Sequence, residues 1–315
     1  MHTYAAPAAS VRRKRARLSH LAHAQPTNTR KIQLILNMNN AELYQGNNTL
    51  QKRDAIDCLE EFANKIRWKR SGERIIDIGC GDGSVTVKLL REYVPDNFEK
   101  LLGCDISEKM VAFANLHHKD ERTDFTILDI ERKLPKDLRN AFDHVFSFYT
   151  LHWIKDQESA FENIFDLLTP GGECLLSFLG HNPVFDVYRI LAQSNKWSSW
   201  LRGVDRFISP YHESQEPEKE IRKMMNKIGF NDISVKCQEK IFIYNSPEAV
   251  KKAVQAVNPF PMPKDVFDDF MLDYVDVLRD MKLIDESNNN KPASIRTNYK
   301  LIVVYGSKCD LSTSA

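Results

Sequence analysis

Nowhere in the 315 residues is there a C-x-x-C pair: Cys58, Cys80, Cys104, Cys174, Cys237 and Cys309 are scattered along the chain. That spacing offers neither a disulfide framework nor a thiolate zinc site, so no metal set is expected and a reducing, cytoplasmic compartment suits the chain best. Long apolar runs are missing too. The run IQLIL at 32–36 falls far short of the ~20 residues a membrane span needs, and no later run approaches that length. No internal repeat is evident.

Acidic residues are absent from residues 1–37, which hold Arg12, Arg13, Lys14, Arg15, Arg17, Arg30 and Lys31. The formal net charge is +1, yet without this lead 37 basic residues face 43 acidic ones, a net of −6. A mildly acidic body argues against a broad nucleic-acid-binding face, and no nucleic-acid partner is expected. The segment VRRKRARLSH reads as a nuclear signal, as part of an Arg-rich transit peptide or as a disordered lead, and composition does not choose among them. Met38 stands where the composition changes and is a candidate start of the functional chain. With 42% hydrophobic residues the remainder can bury a substantial core. The expected organisation is therefore a basic extension over 1–37 and a single domain over 38–315.

Glycine is scarce as well, 12 in all, yet three fall within five positions in IIDIGCGDGSVT, residues 75–86. The run RIIDI before them has the β-branched character of a buried parallel strand, and Val85, Leu89 and Tyr93 after them follow helical spacing. Strand, glycine turn and helix form a nucleotide-binding signature. The alternation continues: strand 101–106, a helix near SEKMVAFANLHH, strand 125–130, strand 142–149, a helix with Phe161, Ile164, Phe165 and Leu168 in one stripe, TPGG as its stop, and a strand over ECLLSFLG. Ahead of it all lies an amphipathic helix with Thr49 as N-cap and Ile56, Leu59, Phe62, Ala63 and Ile66 on one face. Repeated βα units imply an α/β fold with a mostly parallel sheet covered on both faces.

Beyond Gly180 the rhythm breaks. A strand over 234–244, a helix with the stripe Phe267, Phe270, Met271, Tyr274, Leu278 and Met281, a polar loop DESNNNKPAS and a last strand NYKLIVVYG follow. Residues 181–233 and 245–297 are expected to form a lid. Trp197, Trp200, Phe260, Met262, Phe267, Phe270 and Met271 are candidates for an apolar pocket, most of them equally suited to burying the lid against the sheet.

Three carboxylates mark successive strand ends. For a dinucleotide one expects G-x-G-x-x-G and helix amides facing a pyrophosphate; here the spacing is G-x-G-x-G, and Asp77 would repel that group. Asp77 makes better sense near a cation. Asp105 stands where a carboxylate accepts both ribose hydroxyls, and Asp129 where one sits beside an adenine amino group. Gly79, Gly81 and Gly83 let the backbone approach such a ligand. A cation, a ribose and an adenine are outlined together.

On these residues, D-x-G-x-G-x-G, the acidic residue after strand two and LDI, the chain resembles the class I S-adenosylmethionine-dependent methyltransferases. Within that superfamily, MNNAELYQGNNTLQKRDAIDCLEEFANKIRW, DIGCGDGSVT, GCDISEKMV and SFYTLHW are similar to insect juvenile hormone acid O-methyltransferases. The resemblance covers the chain from about Met38 onward. It implies a Rossmann-like fold with the last strand antiparallel, S-adenosylmethionine as cofactor, and methylation of juvenile hormone acid or farnesoic acid, a small sesquiterpenoid partner. It adds Cys80, Ile106, Ile130 and Ser147 to the cofactor residues, and it implies Gln51, His152 and Trp153 as hydrogen-bond donors to the substrate carboxylate. A carboxylic acid of pKa ~4 is already ionised at neutral pH, so no strong base is required. Another fatty or terpenoid acid as substrate, a nucleic-acid or protein methyltransferase, a catalytically silent binding protein and a nicotinamide oxidoreductase are the competing readings. The oligomeric state is left open.

Overall fold

Arg74–Ile78, the apolar run before the glycines, forms β1 at the centre of one mixed sheet. The computed structural model describes residues 40–285 and 293–310. The basic lead, Met38 and most of the DESNNNKPAS loop lie outside the described residues. β2 (Lys100–Asp105), β3 (Thr123–Ile127), β4 (Phe142–Phe148), β5 (Leu168–Leu179), β6 (Phe230–Tyr244), the short β7 (Ile284–Asp285) and β8 (Ser294–Lys308) complete the sheet. The order is β3-β2-β1-β4-β5-β8-β6, with β7 paired to β8. The first five strands are parallel, and β8 runs antiparallel between β5 and β6, as expected for the last strand.

Successive side chains of a strand point to opposite faces, and each face has its own cluster. Ile76, Val145, Cys174, Leu176, Ile302 and Val304 pack with Phe161 and Ile164 of α5 (Gln157–Leu167) and with Ile221 and Met225 of α7 (Pro217–Ile228). Their neighbours Ile75, Phe146, Leu175, Val303 and Tyr305 turn the other way, onto Leu59 and Phe62 of α2 (Thr49–Phe62) and onto Leu90. The sheet is thus covered on both faces. α1 (Ala41–Asn47) precedes α2, and α4 (Glu108–His118) follows β2 with Ser107 accepting the Met110 N–H as its cap. No helix among the described residues is long and apolar enough to cross a membrane.

Several boundaries differ from the sequence reading. Thr49 is the first residue of α2 rather than its cap, which is Asn48. The buried face of that helix is Leu50, Asp54, Ala55, Cys58, Leu59 and Phe62, so a carboxylate occupies a position that periodicity assigns to an apolar residue. After the glycines the helix is wound as a π-helix over Thr86–Leu90 before the α-helical turn α3 (Arg91–Tyr93). The extra residue per turn moves the fully buried positions to Thr86 and Leu90, away from Leu89 and Tyr93. TPGG lies inside β5, which begins at Leu168 with a register shift against β4. β3 ends at Ile127, so Asp129 stands two residues beyond the strand.

The insertions after β5 build a third cluster. α6 (Pro183–Ala192), a 3₁₀ turn Val204–Phe207, α8 (Pro247–Val257) and α9 (Lys264–Asp280) bury Val187, Trp197, Val250, Phe260, Phe267 and Phe270 against one another. α7, although inside the 181–233 insertion, packs on the sheet instead. Phe270 has no exposed surface, and its ring centroid lies 5.3 Å from Trp197 and 6.0 Å from Tyr274. Phe270→Ala is expected to destabilise the protein by about 3–5 kcal/mol, read as a shift of the urea midpoint, because the cavity left in a rigid aromatic cluster does not collapse.

Candidate active site

A cavity of about 260 Å³ opens at the carboxyl ends of the parallel strands. One side is walled by the glycine loop. Gly79, Gly81 and Gly83 all have positive φ, 74°, 56° and 78°. A Cβ on Gly79 would lie 1.9 Å from Thr150 Oγ1, because the loop after β4 crosses directly over it. The Gly79 and Cys80 N–H groups donate to the Cys104 carbonyl at 2.7 and 2.9 Å, holding the loop to the end of β2. Gly81 lines the cavity, and beside it the ring of Tyr44 from α1 closes the opening.

The sequence-predicted cofactor residues divide into two groups. Gly79, Gly81, Asp105, Ile106, Asp129 and Ile130 line the cavity, together with Ser107, Met110 and Leu128. Asp105 accepts the Gly81 N–H (3.0 Å) and the Ser107 N–H (2.8 Å), which fixes the carboxylate at the edge. Burial raises its pKa against these amide bonds. Asp129 accepts the Glu131 N–H at 3.1 Å. The others stand behind this wall. Ser147 donates to the Ile78 carbonyl (2.8 Å) and joins β4 to β1. Cys80 packs with Val111, Ala114 and Phe125, its thiol pushed well up by burial, and a Cβ on Gly83 would meet Phe125 at 2.9 Å. Asp77 is buried and accepts the Thr86 hydroxyl at 2.6 Å; desolvation raises it to about 7.

Gln51, His152 and Trp153 all line the cavity near the end of β4. His152 is buried, its ring tilted 44° to that of Trp153 with centroids 4.7 Å apart, and its Nδ1 accepts the Leu179 N–H (3.4 Å), leaving Nε2 as the protonated nitrogen. Burial lowers its pKa to about 3, so it is a neutral donor, not a base. Neither the Gln51 amide nor the Trp153 indole N–H has a hydrogen-bond partner among the described residues.

Sequence reasoning missed what holds Gln51 in place. One turn later on α2, Asp54 is fully buried and accepts the hydroxyls of Tyr149 (2.5 Å) and Tyr299 (2.6 Å) on one oxygen. Arg53 (3.0 Å) and Lys240 (3.1 Å) contact the other. Tyr149 adopts φ 59°, a conformation L-residues rarely take, and its phenol is raised well above its usual pKa by burial and by the Asp54 charge. The signal was present: Asp54 shares the helical stripe of Leu50 and Cys58.

The other end of the cavity is lined by Val184, Phe185 and Tyr188 of α6, Phe207, Tyr244, Val250, Ala253, Val254 and Val257 of α8, Tyr274 and Leu278 of α9, and Ile295 and Thr297 of β8. None of the seven expected pocket residues is in this lining. Trp197, Phe260, Phe267, Phe270 and Met271 are buried inside the lid cluster, Met262 packs against it, and Trp200 is among the exposed hydrophobic residues. Helical periodicity identifies the buried stripe but not which buried residues border a void. At the N-terminus of α6, His212 Nε2 and Asp186 Oδ1 meet at 2.8 Å and His181 stacks on His212 at 4.6 Å, anchoring the lid beside Asn182.

A family model described as a methyltransferase domain matches residues 76–174. The chain is 57% identical to a juvenile hormone acid O-methyltransferase of Bombyx mori, over 87% of this chain and 99% of that protein. It is 40% identical to a juvenile hormone acid O-methyltransferase of Drosophila melanogaster, over 86% and 93% respectively. Among solved structures it is similar to Haemonchus contortus phosphoethanolamine N-methyltransferase 2 in complex with S-adenosyl-L-methionine. That likeness of fold has a TM-score of 0.53 at 19% identity and covers 86% of this chain and 57% of that one.

The two shifted groups pull stability in opposite directions. Unfolded, His152 protonates near ~6.5, but folded only near 3, so its contribution is lost as pH falls below ~6.5, by about 1.4 kcal/mol per unit. Folded Asp77 takes up its proton near 7 and unfolded Asp77 near ~3.9, so stability from that residue grows as pH falls between those values. In His152→Gln the second effect acts unopposed. The stability of wild type relative to His152→Gln is expected to be about 2 kcal/mol lower at pH 5 than at pH 7.5, measured by urea titration.

Proposed function

The chain belongs to the juvenile hormone acid O-methyltransferase family, and we propose that it transfers the methyl group of S-adenosylmethionine to the carboxylate of juvenile hormone acid, giving juvenile hormone, and that farnesoic acid is accepted at the same site. Its fold is that of the class I S-adenosylmethionine-dependent methyltransferases. The single observation that carries the substrate reading is the trio of neutral N–H donors, from Gln51, His152 and Trp153, in the lining of a cavity that also holds carboxylates and a large apolar set.

The acidic half fits the cofactor. Asp105 is fixed by two backbone amides at the cavity wall and offers its remaining lone pairs to a vicinal diol. Ile106, Met110, Leu128 and Ile130 supply apolar surface for a planar base, with Asp129 beside it for an amino group. Gly79 and Gly81 bring the backbone close, and the buried charge of Asp77, acting from behind the wall, favours a cation. When bound, S-adenosylmethionine supplies an electrophilic methyl carbon whose transfer to a carboxylate oxygen returns the C–S electron pair to sulfur and moves no proton.

The chain's own work is therefore positioning. Gln51 and Trp153 donate to the carboxylate from two sides, and His152 adds its Nε2–H without competing for a proton. Phe185, Val184 and Leu179 keep water from the reacting oxygen. The six cysteines are all free and four are buried, in keeping with a cytoplasmic enzyme.

Incubation with methyl-labelled S-adenosylmethionine and a panel from juvenile hormone acid and farnesoic acid to lauric acid, with mass-spectrometric detection of methyl esters, is expected to give terpenoid esters first. Binding of donor and acid without any ester would replace the enzyme by a binding protein. Gln51→Ala and Trp153→Ala are each expected to lower kcat/KM by about tenfold or more, the worth of a hydrogen bond to a charged group; the Gln51 variant keeps its melting temperature, whereas loss of the Trp153 ring, packed against Phe185, lowers it as well.

A further inference from the structure

β6 and β8 run past the carboxyl edge of the sheet. Leu301 pairs with Leu179 at the end of β5, so residues 294–300 of β8, paired with the last part of β6, project beyond it. At ~3.3 Å per residue, Thr297 lies about 13 Å past that edge, and Ile295 with its partner Tyr244 about 20 Å. α6, α8 and α9 close over this overhang to form the far chamber.

Among the described residues, no charged side chain lines that chamber. Its polar atoms are hydroxyls, those of Tyr188, Tyr244, Tyr274 and Thr297, set among aliphatic carbon. Tyr188 is engaged, donating to Asn258 Oδ1 at 3.2 Å. Tyr274 is 3% exposed, and neither it nor Tyr244 makes a side-chain hydrogen bond among the described residues. The ring centroids of Tyr274 and Tyr188 are 6.2 Å apart, and the phenol of Tyr274 is kept neutral by burial and by its phenol neighbours Tyr188 and Tyr244. The Tyr274 hydroxyl thus borders the chamber with its donor unused, and a ligand there can accept a hydrogen bond from it. The matching ligand group is a neutral oxygen with lone pairs and no proton of its own.

In juvenile hormone acid such an oxygen, the epoxide, is separated from the carboxyl carbon by roughly nine bonds. At ~1.2 Å per bond of an extended chain that is about 11 Å. A carboxylate held at the edge by Gln51 and Trp153 thus places the epoxide close to the level of Thr297, toward Tyr244 and Tyr274.

We propose that Tyr274, with Tyr244 beside it, forms a hydrogen-bonding subsite for the epoxide oxygen, so that the far chamber selects the epoxidised acid over farnesoic acid. The inference rests on the carboxyl methyltransferase reading above. Because farnesoic acid leaves both hydroxyls unpaired, discrimination arises at the end of the substrate remote from the reacting bond.

The test compares kcat/KM for juvenile hormone acid and farnesoic acid, and equilibrium binding of each acid without methyl donor, in wild type, Tyr274→Phe and the double variant Tyr244→Phe/Tyr274→Phe. Wild type should prefer the epoxidised acid. Tyr274→Phe should lower that preference about fivefold, and the binding ratio should fall in parallel. Tyrosine and phenylalanine share a shape, and the melting temperature reports that each variant remains folded. A preference unchanged in the double variant, or absent from wild type, overturns the subsite while leaving the methyltransferase reading intact. A wild type that methylates neither acid overturns both.

Discussion

A single buried carboxylate, Asp54, ties the active-site helix to the rest of the molecule. It receives two phenols and two cations from four places in the chain: Arg53 beside it on α2, Tyr149 at the end of β4, Lys240 on β6 and Tyr299 on β8. Removing one partner from such a buried cluster typically costs ~3–5 kcal/mol because the remaining charge is stranded. Each bond also fixes something functional. Gln51 sits one turn before Asp54, so its amide is aimed by the helix that Asp54 anchors. Tyr149 is held at positive φ where the chain turns from β4 towards His152 and Trp153. Lys240 and Tyr299 are themselves opposite one another in the β6–β8 ladder, at the start of the overhang that carries the far chamber.

The same edge sorts the cavity by polarity. On one side strand ends and loops bring Asp105 and Asp129 to the wall and bury Asp77 behind it; on the other the inserted helices present carbon and hydroxyls. Burial, with the Asp105 charge, raises Asp77 to about 7, and burial lowers His152 to about 3, so neither is comfortably charged at neutral pH without a ligand. A cation near Asp77 restores its charge, whereas His152 stays a neutral donor. The ligands complete the electrostatics of the site.

The nucleotide half was legible because its signals are local. The β-branched run before the glycines identified β1, the βα alternation identified the strands after it, and the glycine spacing with Asp105 picked out residues that line the cavity. The last strand's direction came with the resemblance and agrees with the ladder to β5. What escaped depended on partners distant in sequence. Asp54 interrupts an apolar stripe for the sake of Tyr149 and Tyr299, some 95 and 245 positions away. The π-helical winding over Thr86–Leu90 and the hydrogen bond from Thr86 to Asp77 at its start are features that periodicity does not encode. The lid aromatics were found as a buried stripe, but a stripe does not say which of its members face a void; smaller residues such as Ala253 and Val254 border the cavity because they leave room for it. Asp129 reaches the cavity from beyond β3 rather than from its end.

Among the described residues no lysine or arginine lines the cavity, although an anionic substrate would bind a guanidinium tightly. The chemistry explains the choice. Methyl transfer from a sulfonium to a carboxylate annihilates two charges, so the transition state carries less charge than the bound reactants. A cationic side chain would stabilise the carboxylate more in the ground state than in the transition state, and binding of that kind does not lower the barrier. Neutral donors in a dry site avoid this. They orient the oxygen through direction rather than through net charge, while a dry site withdraws solvation that the separate charges of the reactants need more than the transition state does. In the mechanism proposed above, the neutral His152, the amide of Gln51 and the indole of Trp153 answer one requirement, that the site hold an anion without becoming its counter-ion.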